Sequence, residues 1–151
     1  MILQAGSMLK TILDNIPQRD PFLFIENIVD RSENSITTSK KLTGEEDFFR
    51  GHFPGRPVFP GVLMCEAVFQ TGALLMALKG EAAGNSKTAL VTRIQGCKFK
   101  NMAKPGDNLH ITVDFVEMLA NAAFMKGKIT AEGKTIMTIE FAATIVENGE
   151  V

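Results

Sequence analysis

Three residues carry the chemistry that this sequence suggests: His52, Glu66 and Gly61. His52 lies in Phe48–Phe49–Arg50–Gly51–His52–Phe53–Pro54. Histidine titrates near neutrality and both takes and gives a proton there. A lone histidine is more often structural than catalytic, so the case rests on its companions. Glu66 follows fourteen positions later, inside an otherwise apolar stretch. Glutamate is almost never fully buried without a partner. A basic partner or a gap to solvent are the plain explanations. The chemical one is that apolar surroundings hold the proton on the carboxyl and make it a general acid. Gln70 stands four residues on, shares the Glu66 face of a helix and is placed to orient it. Gly61 begins the apolar stretch; at a helix N-terminus its backbone N–H points outward and, with no side chain, lets a carbonyl approach. A base, a neutral acid and an oxyanion donor fit abstraction of a proton α to a thioester carbonyl with expulsion of a β-hydroxyl. That reaction needs no metal and no cofactor. G-x-S-x-G, G-x-G-x-x-G and the P-loop pattern are all missing from the sequence. His110 alternates outward on a strand and reads as a surface residue.

The elements that must hold these residues are legible in outline. Ser7 is expected to cap a short helix carrying Met8, Leu9, Ile12 and Leu13, and Pro17 to stop it. Phe22 to Val29 reads as a strand and Ser35 to Leu42 as its partner, with Asp30 to Asn34 turning between them. Phe48 to Gly61 holds three prolines and three glycines, and no regular element is expected to survive there. A helix is expected from about Gly61 to Lys79. It is apolar nearly all round, so it is buried rather than amphipathic. It approaches membrane-spanning length, but Glu66 and Gln70 interrupt it and no Lys/Arg cluster flanks it, so it reads as buried in protein. Gly80 to Lys87 is a small polar loop. Thr88 to Lys100 is one long strand, or two broken at Gly96. Pro105–Gly106–Asp107 is a turn. Leu109, Ile111, Val113 and Phe115 alternate with polar residues, as do Met137, Ile139, Phe141, Ala143 and Ile145, and a Glu132–Gly133 hairpin turn follows Ala123 to Ala131. The fold class is α+β, an antiparallel β-sheet of five or six strands covering one long helix. One sheet covers such a helix on one side only, which points to a homodimer.

The 151 residues suit a single domain, 1–151, with an ordered core over about 7–147 and a frayed polar end from Asn148 to Val151. A net charge of −1 speaks against nucleic acid, and the one sparse basic cluster, Lys98, Lys100 and Lys104, reads equally as a solvated edge. Cys65 and Cys97 form no C-x-x-C pair, so no metal or redox site is expected; reduced thiols fit a cytoplasmic protein. No signal peptide is indicated.

Three stretches carry a family resemblance. They are Ile16–Pro17–Gln18–Arg19–Asp20–Pro21–Phe22–Leu23, the run from Phe48 to Ala67 with Gln70 after it, and Lys98–Phe99–Lys100 leading to Pro105–Gly106–Asp107. The second is highly specific. On these residues the chain resembles the 3-hydroxyacyl-(acyl-carrier-protein) dehydratases of bacterial type II fatty acid synthesis, the Z-type more than the A-type, since glutamate rather than aspartate stands at 66. The resemblance implies a hot-dog fold, the sheet wrapped around the central helix. It implies dimers, often assembled into hexamers, with His52 of one subunit and Glu66 of the other in each active site. It implies no cofactor and no membrane. Gly61 falls on the family's oxyanion N–H and Gln70 on its helix glutamine. Phe53, Phe59 and Met64 are candidates for the acyl tunnel. Arg50, Arg56, Lys98, Lys100 and Lys104 are candidates for docking an acidic acyl carrier protein. The chain departs from the family at Gln18, where histidine is usual, and at Phe59, where methionine is more usual. It has no tyrosine, so a tyrosine gate on the tunnel is absent or replaced. These departures bear on substrate range more than on the reaction. The competing readings are a hot-dog thioesterase and a non-catalytic paralogue that binds the carrier protein.

Overall fold

Alternating apolar residues in the C-terminal half build most of the sheet. The structure, a computed structural model, describes residues 5–81 and 86–148. Six strands, β1 (Asn27–Arg31), β2 (Ser35–Lys41), β3 (Lys87–Phe99), β4 (Asn108–Leu119), β5 (Ala122–Ala131) and β6 (Lys134–Glu147), form one sheet in the order β1-β2-β4-β5-β6-β3. Every pairing is antiparallel. Leu109, Ile111 and Val113 of β4 and Met125, Ile129 and Ala131 of β5 are buried on the same face. The Glu132–Gly133 turn joins β5 to β6 with positive φ at both residues, 50° and 76°, the geometry a two-residue hairpin requires.

That buried face packs on α3 (Gly61–Leu78). The helix is long and apolar enough, by length and composition, to cross a membrane, but most of it is buried inside the protein. Close approach is built in at Gly127 of β5, where a Cβ would collide with the Val68 side chain. α1 (Ala5–Asn15) lies beside α3 at one end and ends two residues before Pro17. α2 is a short turn, Phe48–Gly51.

The burial of α3 is incomplete within the single chain, as expected of a helix covered by one sheet. Val62 is 77% exposed, and Cys65, Glu66, Phe69 and Ala73 are only partly covered. At about 100° per residue these five fall on one stripe. The sheet covers the opposite side of the helix fully, whereas on this one, among the described residues, β3 and Phe141 of β6 give only partial cover. β3 is the other unfinished surface. It is a 13-residue edge strand with no buried residue, and it exposes Leu90, Ile94 and Phe99.

Several local expectations are corrected. Ser7 is not a cap, because Ala5 and Gly6 are already helical and the Ser7 carbonyl accepts a bond from Thr11 Oγ1 at 3.0 Å. The Phe22–Val29 run is strand only from Asn27; its first half gives backbone groups to a side chain, as described below. The loop expected to be irregular throughout begins with α2, which ends before the prolines start at 54 and so escapes their restriction on the preceding residue. Of the two readings of 88–100 the single strand holds: β3 continues past Gly96 through a bulge between Gln95 and Lys98. The polar loop of 80–87 and the polar C-terminal end lie partly outside the described residues.

Candidate active site

His52 is held by its own loop. Its Nδ1 lies 2.9 Å from the Val58 carbonyl oxygen. A carbonyl only accepts, so Nδ1 carries the hydrogen, and in the neutral ring Nε2 is left with a free lone pair. The Val58 N–H donates back to the His52 carbonyl at 2.9 Å, so residues 52 and 58 clamp each other. Phe53 stacks on the imidazole with ring centres 4.1 Å apart and is itself 47% exposed. The sequence places an oxyanion donor at Gly61, and the structure sets that residue at the start of α3 after Pro60, whose carbonyl accepts from the Leu63 and Met64 N–H groups. The Gly61 N–H has no acceptor among the described residues. A Cβ at Gly61 would stand 3.0 Å from the Phe99 ring, so glycine is needed here for aromatic packing as well as for access.

His52, Gly61, Phe59 and Met64 line one open cavity, together with Val58, Phe99, Lys100, Asn101 and Met102. Phe59 is a wall rather than a movable lining residue. Its side chain is fully buried in an aromatic cluster with Phe24 and Phe48. Phe53 borders His52 but is not among the lining residues. Of the basic candidates, Lys100 lines the cavity, and Lys98 and Lys104 flank it along the chain. Arg50 and Arg56 are exposed on the His52 loop, with Arg50 3.1 Å from the Asp47 carboxylate.

Glu66 is held by long-range means. Gln70 is completely buried and donates from Nε2 to Glu66 Oε1 at 3.1 Å and to the Phe22 carbonyl at 2.9 Å. Its Oε1 accepts the Phe24 N–H at 2.9 Å. The extended segment of Phe22 to Phe24 thus fixes Gln70, and Gln70 fixes the acid. Burial raises the Glu66 pKa above its usual value and outweighs the opposing pull of the Gln70 bond. A carboxyl that holds its proton longer is a usable acid.

The chain does not bring His52 and Glu66 into one cavity. Glu66 lines a second groove with Gln18, Phe69, Ala73 and residues of β3. The helix explains the separation. At about 100° per residue, Glu66, Phe69 and Ala73 centre roughly 140° away from Gly61 and Met64. The reasoning from sequence missed Phe99, Asn101 and Met102 in the first cavity and Ala89, Leu90, Val91 and Ile94 in the second. All come from β3 or the segment after it, and only the strand order places them.

Comparison with known proteins shows the family and the fold of the chain. A family model described as a FabA-like domain matches residues 16–140. A 3-hydroxyacyl-(acyl-carrier-protein) dehydratase FabZ from Caulobacter vibrioides is 39% identical over 148 residues, 97% of this chain and 93% of that protein. One of the same name from Bacillus subtilis is 37% identical over 137 residues, 90% of this chain and 96% of that protein. Among solved structures, the dehydratase heterocomplex ApeI:P from Xenorhabdus doucetiae superposes with a TM-score of 0.78 at 13% identity, covering 92% of this chain and 93% of the other. The Escherichia coli PaaI protein gives 0.63 at 15% identity, over 78% and 80%. These two likenesses establish the hot-dog fold. With a family model spanning most of its length and full-length relatives near 39% identity, the chain belongs to the FabA-like family, among its FabZ-type 3-hydroxyacyl-(acyl-carrier-protein) dehydratases.

Proposed function

We propose that the protein converts a (3R)-3-hydroxyacyl thioester on acyl carrier protein to the trans-2-enoyl thioester, in type II fatty acid biosynthesis or a related acyl-chain pathway. One observation carries the reading: a histidine whose Nδ1 is pinned to a carbonyl shares a cavity with an unoccupied helix N-terminal N–H. His52 Nε2 takes the α-proton. The Gly61 N–H receives the charge that builds on the thioester oxygen; one such donor is worth about 10²–10³ in rate. Glu66, its pKa raised by burial and its carboxyl oriented by Gln70, protonates the departing hydroxyl.

The acid and the base of one site come from two chains in this proposal. Two features support it. The two residues lie on opposed sides of α3, and the stripe carrying Glu66 is only partly covered, beside a long exposed edge strand. Natural proteins seldom leave such an edge unpaired. A second copy adding its β3 to this edge would cover both surfaces. The working unit is then at least a homodimer, with a trimer of dimers as the larger assembly. Each chain is one domain and works in the cytoplasm. The carrier protein approaches the His52 side, where Lys98, Lys100 and Lys104, with Arg50 and Arg56, offer positive charge. The acyl chain runs past Met64 and Phe59, with Phe53 at the edge.

The test is the enone absorbance of a crotonyl thioester. Wild-type protein removes the band by adding water, and His52→Ala and Glu66→Gln each slow this by about 10²–10⁴. Release of free thiol in step with loss of the band would instead indicate a thioesterase, since hydration leaves the thioester intact. No reaction with crotonyl or with a longer 3-hydroxyacyl-carrier substrate would indicate a binding protein.

A further inference from the structure

Gln18 carries a buried polar atom that the fold leaves unanswered. Among the described residues, its side-chain Oε1 is buried and has no hydrogen-bond partner. Most buried carbonyl oxygens are paired, so an orphan calls for an explanation. Loose backbone is not the explanation. The neighbouring Arg19 guanidinium donates to the carbonyls of Leu13 at 2.7 Å, Ile16 at 2.7 Å and Gln18 itself at 2.8 Å. The backbone of the segment is pinned.

Its location supplies the explanation. Gln18 lines the groove that contains Glu66, and the other lining side chains, among them Phe69, Ala73, Leu90 and Ile94, are apolar. Glu66 and Gln18 are therefore the two polar side chains of that groove. One is an acid whose pKa burial raises. The other is an acceptor without a donor. A ligand that fits this pair brings one group able to take a proton and give a hydrogen bond at the same oxygen. On an acyl thioester chain that group is a hydroxyl. A saturated acyl chain has none, and neither does a 2-enoyl chain.

We propose that Gln18 Oε1 accepts the hydrogen bond of the substrate's 3-hydroxyl and selects hydroxylated chains over saturated ones. The assignment rests on the dehydratase reading for the identity of the ligand. With its O–H directed to Gln18, the hydroxyl oxygen keeps its lone pairs for Glu66. The α-proton passes to His52 Nε2, and its electron pair becomes the C2–C3 double bond. The C3–O bond breaks with its pair on oxygen. That oxygen takes the Glu66 proton and leaves as water. The proton on His52 then returns to Glu66 through solvent, restoring both groups. Gln18 acts here as a positioning residue: it neither gives nor takes a proton.

The experiment measures binding, separately from turnover. In a His52→Ala background, calorimetry compares 3-hydroxybutyryl-pantetheine with butyryl-pantetheine at pH 8. With Gln18 present the hydroxylated ligand binds more tightly. Gln18→Met, of similar size but without the acceptor, lowers affinity for it by about 5- to 10-fold and leaves butyryl-pantetheine unchanged. Gln18→Ala is a second deletion with the same expectation, should the methionine variant fold poorly. Gln18→Glu retains an acceptor and keeps the preference. An unchanged preference in the deletion variants, or equal weakening of both ligands, overturns the assignment. Turnover of crotonyl-pantetheine by the otherwise wild-type protein reports on the dehydratase reading independently. Its absence, together with no reaction of a longer 3-hydroxyacyl-carrier substrate, removes that reading, whereas the hydroxyl preference alone decides the role of Gln18.

Discussion

The loop around His52 and the middle of α3 around Glu66 solve the same problem by different routes. His52 is fixed by a partner six residues away, through backbone atoms on both sides. Glu66 is fixed through Gln70, which depends on Phe22 and Phe24, 48 and 46 residues distant. The base is positioned locally and the acid globally. Local positioning leaves a signature in the order of residues along the chain. Global positioning leaves a trace only in residue types, such as a glutamate and a glutamine where every neighbour is apolar.

The largest effect tests the separation directly. His52→Ala and Glu66→Gln chains, each inactive alone, are mixed, dissociated and allowed to reassociate. Half of the reassorted dimers contain one chain of each kind, and one of their two sites is intact. Activity should therefore return to about a quarter of wild type, as random pairing in a two-fold dimer requires. A mixture as inactive as its components would place both residues in a single-chain site and break the comparison.

A smaller effect separates the two modes of support. Gln70→Leu leaves the His52 clamp untouched but strands the Phe22 carbonyl and the Phe24 N–H. Each buried group without its partner costs about 1–3 kcal/mol, which urea denaturation would register. The variant also moves the pH profile. The Gln70 bond lowers the Glu66 pKa while burial raises it. Losing the bond leaves burial unopposed, so the folded-state value climbs further. The alkaline limb of the rate, set by ionisation of the acid, shifts to higher pH. The stability sign agrees: a glutamate raised above its ordinary 4.5 contributes most below that value, and the contribution is lost as pH rises through the raised one. An alkaline limb that stays in place would detach Glu66 from the acid role.

The smallest effect asks which face meets the carrier. Lys98→Glu, Lys100→Glu and Lys104→Glu together should raise KM for a carrier-borne substrate by several-fold and leave KM for a pantetheine substrate unchanged, as expected for charges at a rim. Equal changes in both would remove the docking role.

The same contrast explains what was legible in the sequence. Alternation in β4 and β6, the apolar helix and the Pro–Gly loop announce the α+β fold, because each follows from neighbouring residues. The single-chain site was legible as a set of residue types and only partly as a place. The Phe22–Glu26 run looked like a strand because it is apolar and extended. The Phe22 carbonyl and the Phe24 N–H go to Gln70, and only at Glu26 does the backbone reach the Ser39 carbonyl of β2; no local pattern reveals that. Phe99 and Leu90 were missed because β3 pairs with β6, which follows it by some 35 residues. Gln18 was visible as a departure from a pattern, but only its stranded oxygen beside Glu66 gives that departure a chemical meaning.

The two opposed faces of α3 also have a genetic consequence. When the base belongs to one copy and the acid to the other, a duplicated gene pair is free to divide them. One copy can lose His52 and the other Glu66, and every mixed dimer still keeps one intact site. Selection would then act on the pairing between the copies, and neither gene alone would show a phenotype that the other could rescue by acting as its own replacement.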